Sequence, residues 1–359
     1  MSLRLETKLD KAALRAFTDR VFADMASTMT AGMVFVGTKT GLFRAMAGKG
    51  PMQLDEVVQV SGLQPRYVEE WLRGMTATRY LKYDAANETF ELPDEHAYLL
   101  ASEGTDHFVG GLFAMAPVLL RIAPDVATAF EKGGGVHFEH FGPDGVEALD
   151  LINRGNYEHR LASYWLAAMP DAVRKLENGG RVLDVGCGAG RVCIAIAKSF
   201  PAAQITGIDP DVGSIDQARS AAAAQGVGER IRFLAQTTAE VSADDGFDLI
   251  TLCDALHDLA APQQTLEEIR SLLKPDGTLF IIEPKAADRL EDNVNPIGTM
   301  FYGFSIFHCM TQSLARGGPG LGTCLGPART EAIVRAAGFR QFELLDIRSQ
   351  VNLFYAARV

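Results

Sequence analysis

The stretch Val182-Leu183-Asp184-Val185-Gly186-Cys187-Gly188-Ala189-Gly190 ends an apolar strand in a run of glycines and then opens a helix. Such a turn lets a ligand come close to the backbone and offers it the free N–H groups of a helix N-terminus. The pattern downstream of this loop fixes its surroundings. QITGID, IRFLAQ, FDLITLCD and TLFIIEP read as further strands, with helices predicted over roughly 190–199, 211–225, 262–273 and 328–337. Continuous apolar strands between amphipathic helices predict a parallel sheet buried on both faces. The last two strands, FELLDI and NLFYAARV, are separated only by a short polar turn and are expected to pair as an antiparallel hairpin.

Upstream the periodicity differs. Residues 11 to about 47 recur apolar at three and four, as in a helix. Short helices are predicted at 53–61 and 65–76 around the Ser61-Gly62 turn, and then a hairpin from Tyr80–Tyr83 and Thr89–Leu92. Helix, turn, helix and hairpin make a winged helix. From about 105 to 170 the chain is helical and apolar, broken at Gly133-Gly134-Gly135, a hinge or a plain loop. The expected division is a helical and winged-helix domain at 1–105, a helical connector at 106–170, and an α/β, Rossmann-like domain with seven strands at 171–359.

The glycine spacing selects among ligands. A dinucleotide fingerprint, GxGxxG, would require glycine at position 191, which is Arg191; the third glycine falls one earlier, at Gly190. Asp184, two places before the first glycine, suits a ligand carrying a positive amino group. Asp209, in Ile208-Asp209-Pro210, ends the second strand, where a carboxylate can accept hydrogen bonds from ribose hydroxyls. The plainer role for Asp209 is an N-cap on the following helix.

DVGCGAG, the IDP that ends the next strand, LKPDG before a later strand, and the terminal hairpin together resemble the class I methyltransferases. With the winged helix in front, the chain is similar to winged-helix small-molecule O-methyltransferases of plants and bacteria. That resemblance implies S-adenosylmethionine as cofactor. It carries contacts to Asp184, to the loop Gly186, Cys187, Gly188 and Gly190, to Asp209 and Pro210, and to Cys253 or Asp254 after the fourth strand. Many members carry an aspartate after the third strand for the adenine; here the stretch is Leu234-Ala235-Gln236-Thr237-Thr238, which leaves Gln236 or Thr237. The resemblance also implies a small-molecule methyl acceptor with an oxygen, nitrogen or sulfur nucleophile, and a homodimer built on the N-terminal domain.

After the fourth strand comes Cys253-Asp254-Ala255-Leu256-His257-Asp258. Imidazole titrates near neutral pH, and a neutral hydroxyl is a poor nucleophile, so His257 is the candidate general base, with Asp258 orienting the ring or capping a helix. The alternative is a histidine that only shapes the cofactor site. Phe301, Phe304, Ser305 and His308 would share one helical face, and the resemblance places this segment over the substrate pocket. His137 and His140 lack further ligands at metal-binding spacing, so no metal is expected.

A formal charge of -11 disfavours nucleic acid and anionic membrane. Residues 66–73, in the would-be recognition helix, set Arg66 and Arg73 against Glu69 and Glu70. That balance favours dimerisation over a cofactor-sensing transcription regulator, the alternative reading. A catalytically silent module that keeps the cofactor as a structural ligand is a second rival. Five scattered cysteines without a CxxC pair suit a reducing, cytoplasmic setting. The charged N-terminus shows no signal peptide, and no apolar run approaches the length of a membrane span.

Overall fold

A computed structural model describes residues 9–242 and 245–359. The expectation about a signal peptide falls largely on residues 1–8, outside the described residues. The chain divides into two compact units: one reaches Glu103 and takes in His107–Pro117, and the other comprises Gly104–Asp106 and Val118–Val359.

In the first unit, α1 (Lys11–Thr40) ends at Gly41, whose φ of 76° stops the helix before α2 (Leu42–Met46). The turn between α3 (Leu54–Ser61) and α4 (Pro65–Ala77) uses Gly62, also left-handed at φ 68°. Strands β1 (Lys82–Asp84) and β2 (Thr89–Glu91) pair antiparallel as the wing, and Met52 bridges to Phe90 on its other side. Val57, Val68, Trp71, Leu72 and Met75 are buried together. Trp71 donates its indole N–H to the Met33 carbonyl at 2.9 Å and packs edge-on against Phe43. The second helix of the motif therefore turns its aromatic face inward.

Only the C-terminal part of α1 is held by that core. Leu14, Phe17, Val21, Met25 and Met29, spaced by three and four, are exposed. This helix qualifies the expectation about membrane spans: it is long and apolar enough to cross a membrane by length and composition alone, a test that core helices also pass. The reason lies in its spacers. Between Val21 and Thr38 the apolar residues are separated by Ala, Gly, Ser and Thr, and Asp24 is the one charge. Its end is nonetheless built into the winged-helix core, at the buried Val34 and Gly37.

In the second unit, among the described residues, seven strands form one sheet. They are β3 (Arg181–Val185), β4 (Gln204–Ile208), β5 (Ile231–Leu234), β6 (Phe247–Cys253), β7 (Leu273–Pro284), β8 (Gln341–Leu344) and β9 (Asn352–Arg358), in the order β5-β4-β3-β6-β7-β9-β8. The first five are parallel, while β9 runs antiparallel to β7 and β8 pairs antiparallel to β9, as the terminal hairpin predicts. Strand order reverses between β3 and β6, so a crevice opens at their carboxyl ends. Two core clusters, one on each face, cover the sheet.

The helical stretch after residue 117 contains a π-helical segment, Tyr157–Trp165, following a helix at Gly142–Asn156. The triple glycine is tied down at one end: Val136 donates its N–H to the Thr311 hydroxyl at 2.9 Å.

Candidate active site

The site grows from strand register. Asp184 on β3 lies opposite Thr251 on β6, so the Thr251 hydroxyl donates to Asp184 Oδ1 at 2.7 Å. The Cys193 thiol donates to Oδ2 at 3.4 Å. Burial pushes this carboxyl up to about 7, against those two hydrogen bonds. A buried carboxyl with few donors is receptive to a cationic group.

The glycines after β3 have separate jobs. All three have positive φ. A Cβ on Gly188 would meet nothing within 4 Å among the described residues, so that point of the loop is open to a ligand. A Cβ on Gly190 would strike the Phe233 ring at 2.8 Å and Ala218 at 2.9 Å, so Gly190 is required by packing. Gly186 and Cys187 give their N–H groups to the Ile208 carbonyl, and the Cys187 side chain is buried.

Asp209 is not the helix cap. Asp211 caps the helix Val212–Ala224, accepting from the Ser214 N–H at 2.7 Å. Asp209 instead accepts from the Gly188 N–H at 3.1 Å through Oδ2 and from the Asp211 N–H at 2.9 Å through Oδ1. It thus stands beside the glycine loop, with Pro210 exposed after it. Burial raises its pKa, and the two N–H donors oppose the rise.

After β5, Thr237 turns its N–H and hydroxyl to Glu240 at 2.8 and 2.9 Å, which leaves Gln236 the freer side chain. After β6, Asp254 adopts φ 50°, a left-handed conformation rare for a non-glycine residue. Its carboxylate accepts from the Tyr157 hydroxyl at 2.8 Å and from the Asn352 amide at 3.2 Å. The side chain is thereby committed to the π-helical segment and β9, and burial lifts its pKa to about 6. Cys253, before it, is half-buried.

His257 sits on a 3-10 turn, Leu256–Asp258, and is 3% exposed. Its Nδ1 lies 2.8 Å from Glu283 Oε2 at the end of β7, and its Nε2 lies 3.4 Å from Asp258 Oδ1. Burial alone would lower its pKa; the two carboxylates overrule that and hold it well above the usual histidine range. Glu283 is the residue that the sequence pattern alone did not single out. Its signal was one acid in an otherwise apolar buried strand, TLFIIEP.

The segment 296–315, read as one helix with Phe301, Phe304, Ser305 and His308 on one face, is interrupted by a second helix type. Ser305–Cys309 is π-helical between α-helices Pro296–Phe304 and Met310–Ala315, so the rotation per residue changes just where that face was counted. Phe301, Ser305 and His308 are buried and Phe304 is half-buried. His308 packs edge-on against Phe141, with centroids 4.7 Å apart, and the Gln312 amide lies 3.0 Å from its Nδ1. Burial lowers its pKa. His140 lies near Asp125 at 3.7 Å, both of them exposed; neither His137 nor His140 joins a group of three metal donors among the described residues.

An open glycine cradle, a carboxylate held against it and a buried acid behind it fit a ligand with ribose hydroxyls and an ammonium group, as S-adenosylmethionine has. Comparison with known proteins agrees. Residues 176–312 match the family profile of a methyltransferase domain, and residues 28–102 match that of an Rv2258c-like winged HTH domain. The chain thus carries a methyltransferase domain behind a winged-helix domain. It is 38% identical over 109 residues to the ubiquinone biosynthesis O-methyltransferase of Actinobacillus pleuropneumoniae, covering 28% of this chain and 44% of that one. The chain spans about half, or less, of the length of such curated relatives. Human N-acetylserotonin methyltransferase in complex with S-adenosylmethionine shares the fold at 20% identity, with a TM-score of 0.64 over 99% of both chains. The mitomycin 7-O-methyltransferase MmcR does so at 16% identity and a TM-score of 0.67, over 98% of this chain and all of that one.

Proposed function

We propose that this chain is an S-adenosylmethionine-dependent methyltransferase acting on a small molecule with an oxygen, nitrogen or sulfur nucleophile. The observation that carries the reading is Asp209: it is released from helix capping and held against the open glycine loop. When bound, S-adenosylmethionine supplies a methyl group activated on a sulfonium. The chain's residues do the rest. Asp209 receives the ribose hydroxyls, Asp184 faces the ammonium group, and Gln236 is placed for the adenine. The proposed substrate-side residues are Phe301, Phe304, Ser305 and His308. Glu283 at Nδ1 and Asp258 near Nε2 fix the His257 ring and stabilise its imidazolium, so the ring takes a proton from the acceptor only after losing its own, and the raised pKa places that base form on the alkaline side. A hydroxyl acceptor is the class that needs this base.

The proposed division of labour is 1–105 for dimerisation, 106–170 as connector and 171–359 for cofactor and chemistry. The exposed stripe on α1 supports a homodimer: Phe17 is 66% exposed and Phe22 72%. Charged replacements at both should give a monomer in light scattering, and an unchanged dimer would refute this. In α4 the basic residues are spent within the helix, Arg66 on Glu70 and Arg73 on Glu69 at 2.6 Å, which speaks against the regulator reading. Five free cysteines support a reducing, cytoplasmic setting.

The test is calorimetry of the full chain with S-adenosylmethionine, its demethylated product and NAD. Binding of the first two and not the third is expected; NAD binding alone would sink the reading. Labelled S-adenosylmethionine incubated with metabolite extract then identifies the acceptor by the mass of the labelled product.

A further inference from the structure

We propose that His257, Asp258 and Cys309 form a site for one thiophilic divalent transition-metal ion of the zinc and cobalt class. Sequence spacing hides it, because Cys309 arrives from the π-helical turn after β7. One donor atom from each residue, a ring nitrogen, a carboxylate oxygen and a thiol sulfur, lies within 4.8 Å of the others. Donors around a tetrahedral zinc stand about 3.3–3.8 Å apart, so the three need only a modest contraction to close on an ion. His257 Nε2 and Asp258 Oδ1 are already 3.4 Å apart.

Two further observations point to a missing cation. Asp258 Oδ1 is a buried acceptor with no hydrogen-bond partner among the described residues. A carboxylate oxygen cut off from water in this way is costly unless positive charge faces it; the His257 ring, 3.4 Å away, supplies that charge when protonated, and a metal ion between the two would supply it in the proton's place. Behind the ring, Glu283 accepts from Nδ1 at 2.8 Å, which fixes the ring with Nε2 on the side of Asp258, where a metal ion would displace the Nε2 proton. Carboxylate, histidine and metal in line is the arrangement that orients histidine ligands in metal sites.

The donor chemistry chooses the ion. One nitrogen, one oxygen and one sulfur suit zinc, cobalt or nickel and not magnesium or calcium, which demand oxygen. On ligation Cys309 loses its thiol proton to solvent and binds as thiolate. Three protein donors leave a fourth position for water or an acceptor heteroatom. The site itself does not depend on the methyltransferase reading, but one consequence does. Nε2 is also the proposed proton acceptor, so metal occupancy and proton acceptance exclude one another, and the bound ion holds the enzyme inactive.

The full chain, stripped with a chelator, is titrated with cobalt(II) alone. Expected is a 1:1 end point with thiolate-to-cobalt charge-transfer absorption in the near ultraviolet and the visible bands of a tetrahedral ion. Cys309→Ser should lose the charge-transfer band, and Asp258→Asn should weaken binding at least about tenfold. Circular dichroism and thermal melts of the same samples report whether each variant is folded and keep this test separate from the methyltransferase reading. Absence of the band in folded wild-type protein overturns the proposal. So does a band that survives in Cys309→Ser, which would assign it to Cys187, Cys193, Cys253 or Cys324.

Discussion

The Asp209 carboxylate accepts the Gly188 N–H at 3.1 Å, tying the end of β4 to the glycine loop that follows β3. One oxygen thereby shapes the cradle, and the group stands where the proposed cofactor would lie beside it. Asp209→Ala should weaken S-adenosylmethionine affinity by about 1.5–3 kcal/mol, the range for hydrogen bonds to a charged group. Calorimetry checks this. Since Asp211 does the capping, thermal stability should fall far less than affinity; equal affinity in wild type and variant would remove Asp209 from the site.

Asp184 gives a pH dependence with a definite sign. Its folded pKa, about 7, lies above the unfolded value of about 3.9, so the folded state holds the proton more tightly. The associated stability is present at low pH and is lost as pH rises through about 7. Asp184→Asn should therefore raise the stability of the cofactor-free protein at pH 8, by about 1–3 kcal/mol, and flatten its slope between pH 5 and 8. The same change should weaken cofactor binding. Wild-type affinity should climb as pH approaches 7, because an ionised Asp184 pairs with the ligand's ammonium group. Urea melts across pH decide the first point, and a variant as pH-dependent as wild type would refute it.

Gly190 and Gly188 should separate packing from binding. Gly190→Ala forces a Cβ into Phe233 and Ala218 at positive φ, and should cost stability by more than the roughly 1 kcal/mol of the backbone strain alone. Gly188→Ala meets no neighbour, so it should cost about 1 kcal/mol in stability and far more in cofactor affinity. Denaturant melts paired with calorimetry distinguish the two; matching profiles for the two variants would contradict the division.

With an acceptor in hand, His257→Ala should lower kcat by about 10²–10⁴ with cofactor affinity almost unchanged. Glu283→Gln, which removes charge behind Nδ1, should fall between wild type and that variant. A His257→Ala enzyme that turns over normally and binds cofactor poorly would return the residue to a shaping role.

The sheet was legible because its central strands β6 and β7 are long, almost wholly buried apolar runs and helices lie between the parallel strands. The glycine loop was legible because its spacing is a backbone requirement written in one residue type. The two π-helical segments were not, since Tyr157–Trp165 and Ser305–Cys309 differ from α-helix by hydrogen-bond register, which composition does not encode. Nor was the commitment of Asp254 to Tyr157 and Asn352, residues about a hundred positions away on either side. Side-chain pairing across elements is a product of the packing itself. Thr251 behind Asp184 belongs to the same class, although strand register explains it once the sheet is known.

Arg191, whose presence breaks the dinucleotide spacing, is itself an anchor. It sits 14% exposed at the start of the helix after the glycine loop, with Nε and Nη2 on Asp150 at 2.5 and 2.9 Å and Nη1 3.4 Å from Glu158. Replacing it with glycine would leave Asp150 to Arg154 and Glu158 to the Gln225 amide. Breaking a buried pair costs about 3–5 kcal/mol when it strands a charge; with Arg154 still on Asp150 the loss falls below that range but remains a sizeable part of a domain's stability. The one-residue mutational route from this loop to a nicotinamide fingerprint therefore runs through the loss of a structural anchor: the same side chain that breaks the spacing ties the loop's helix to the helices before the sheet.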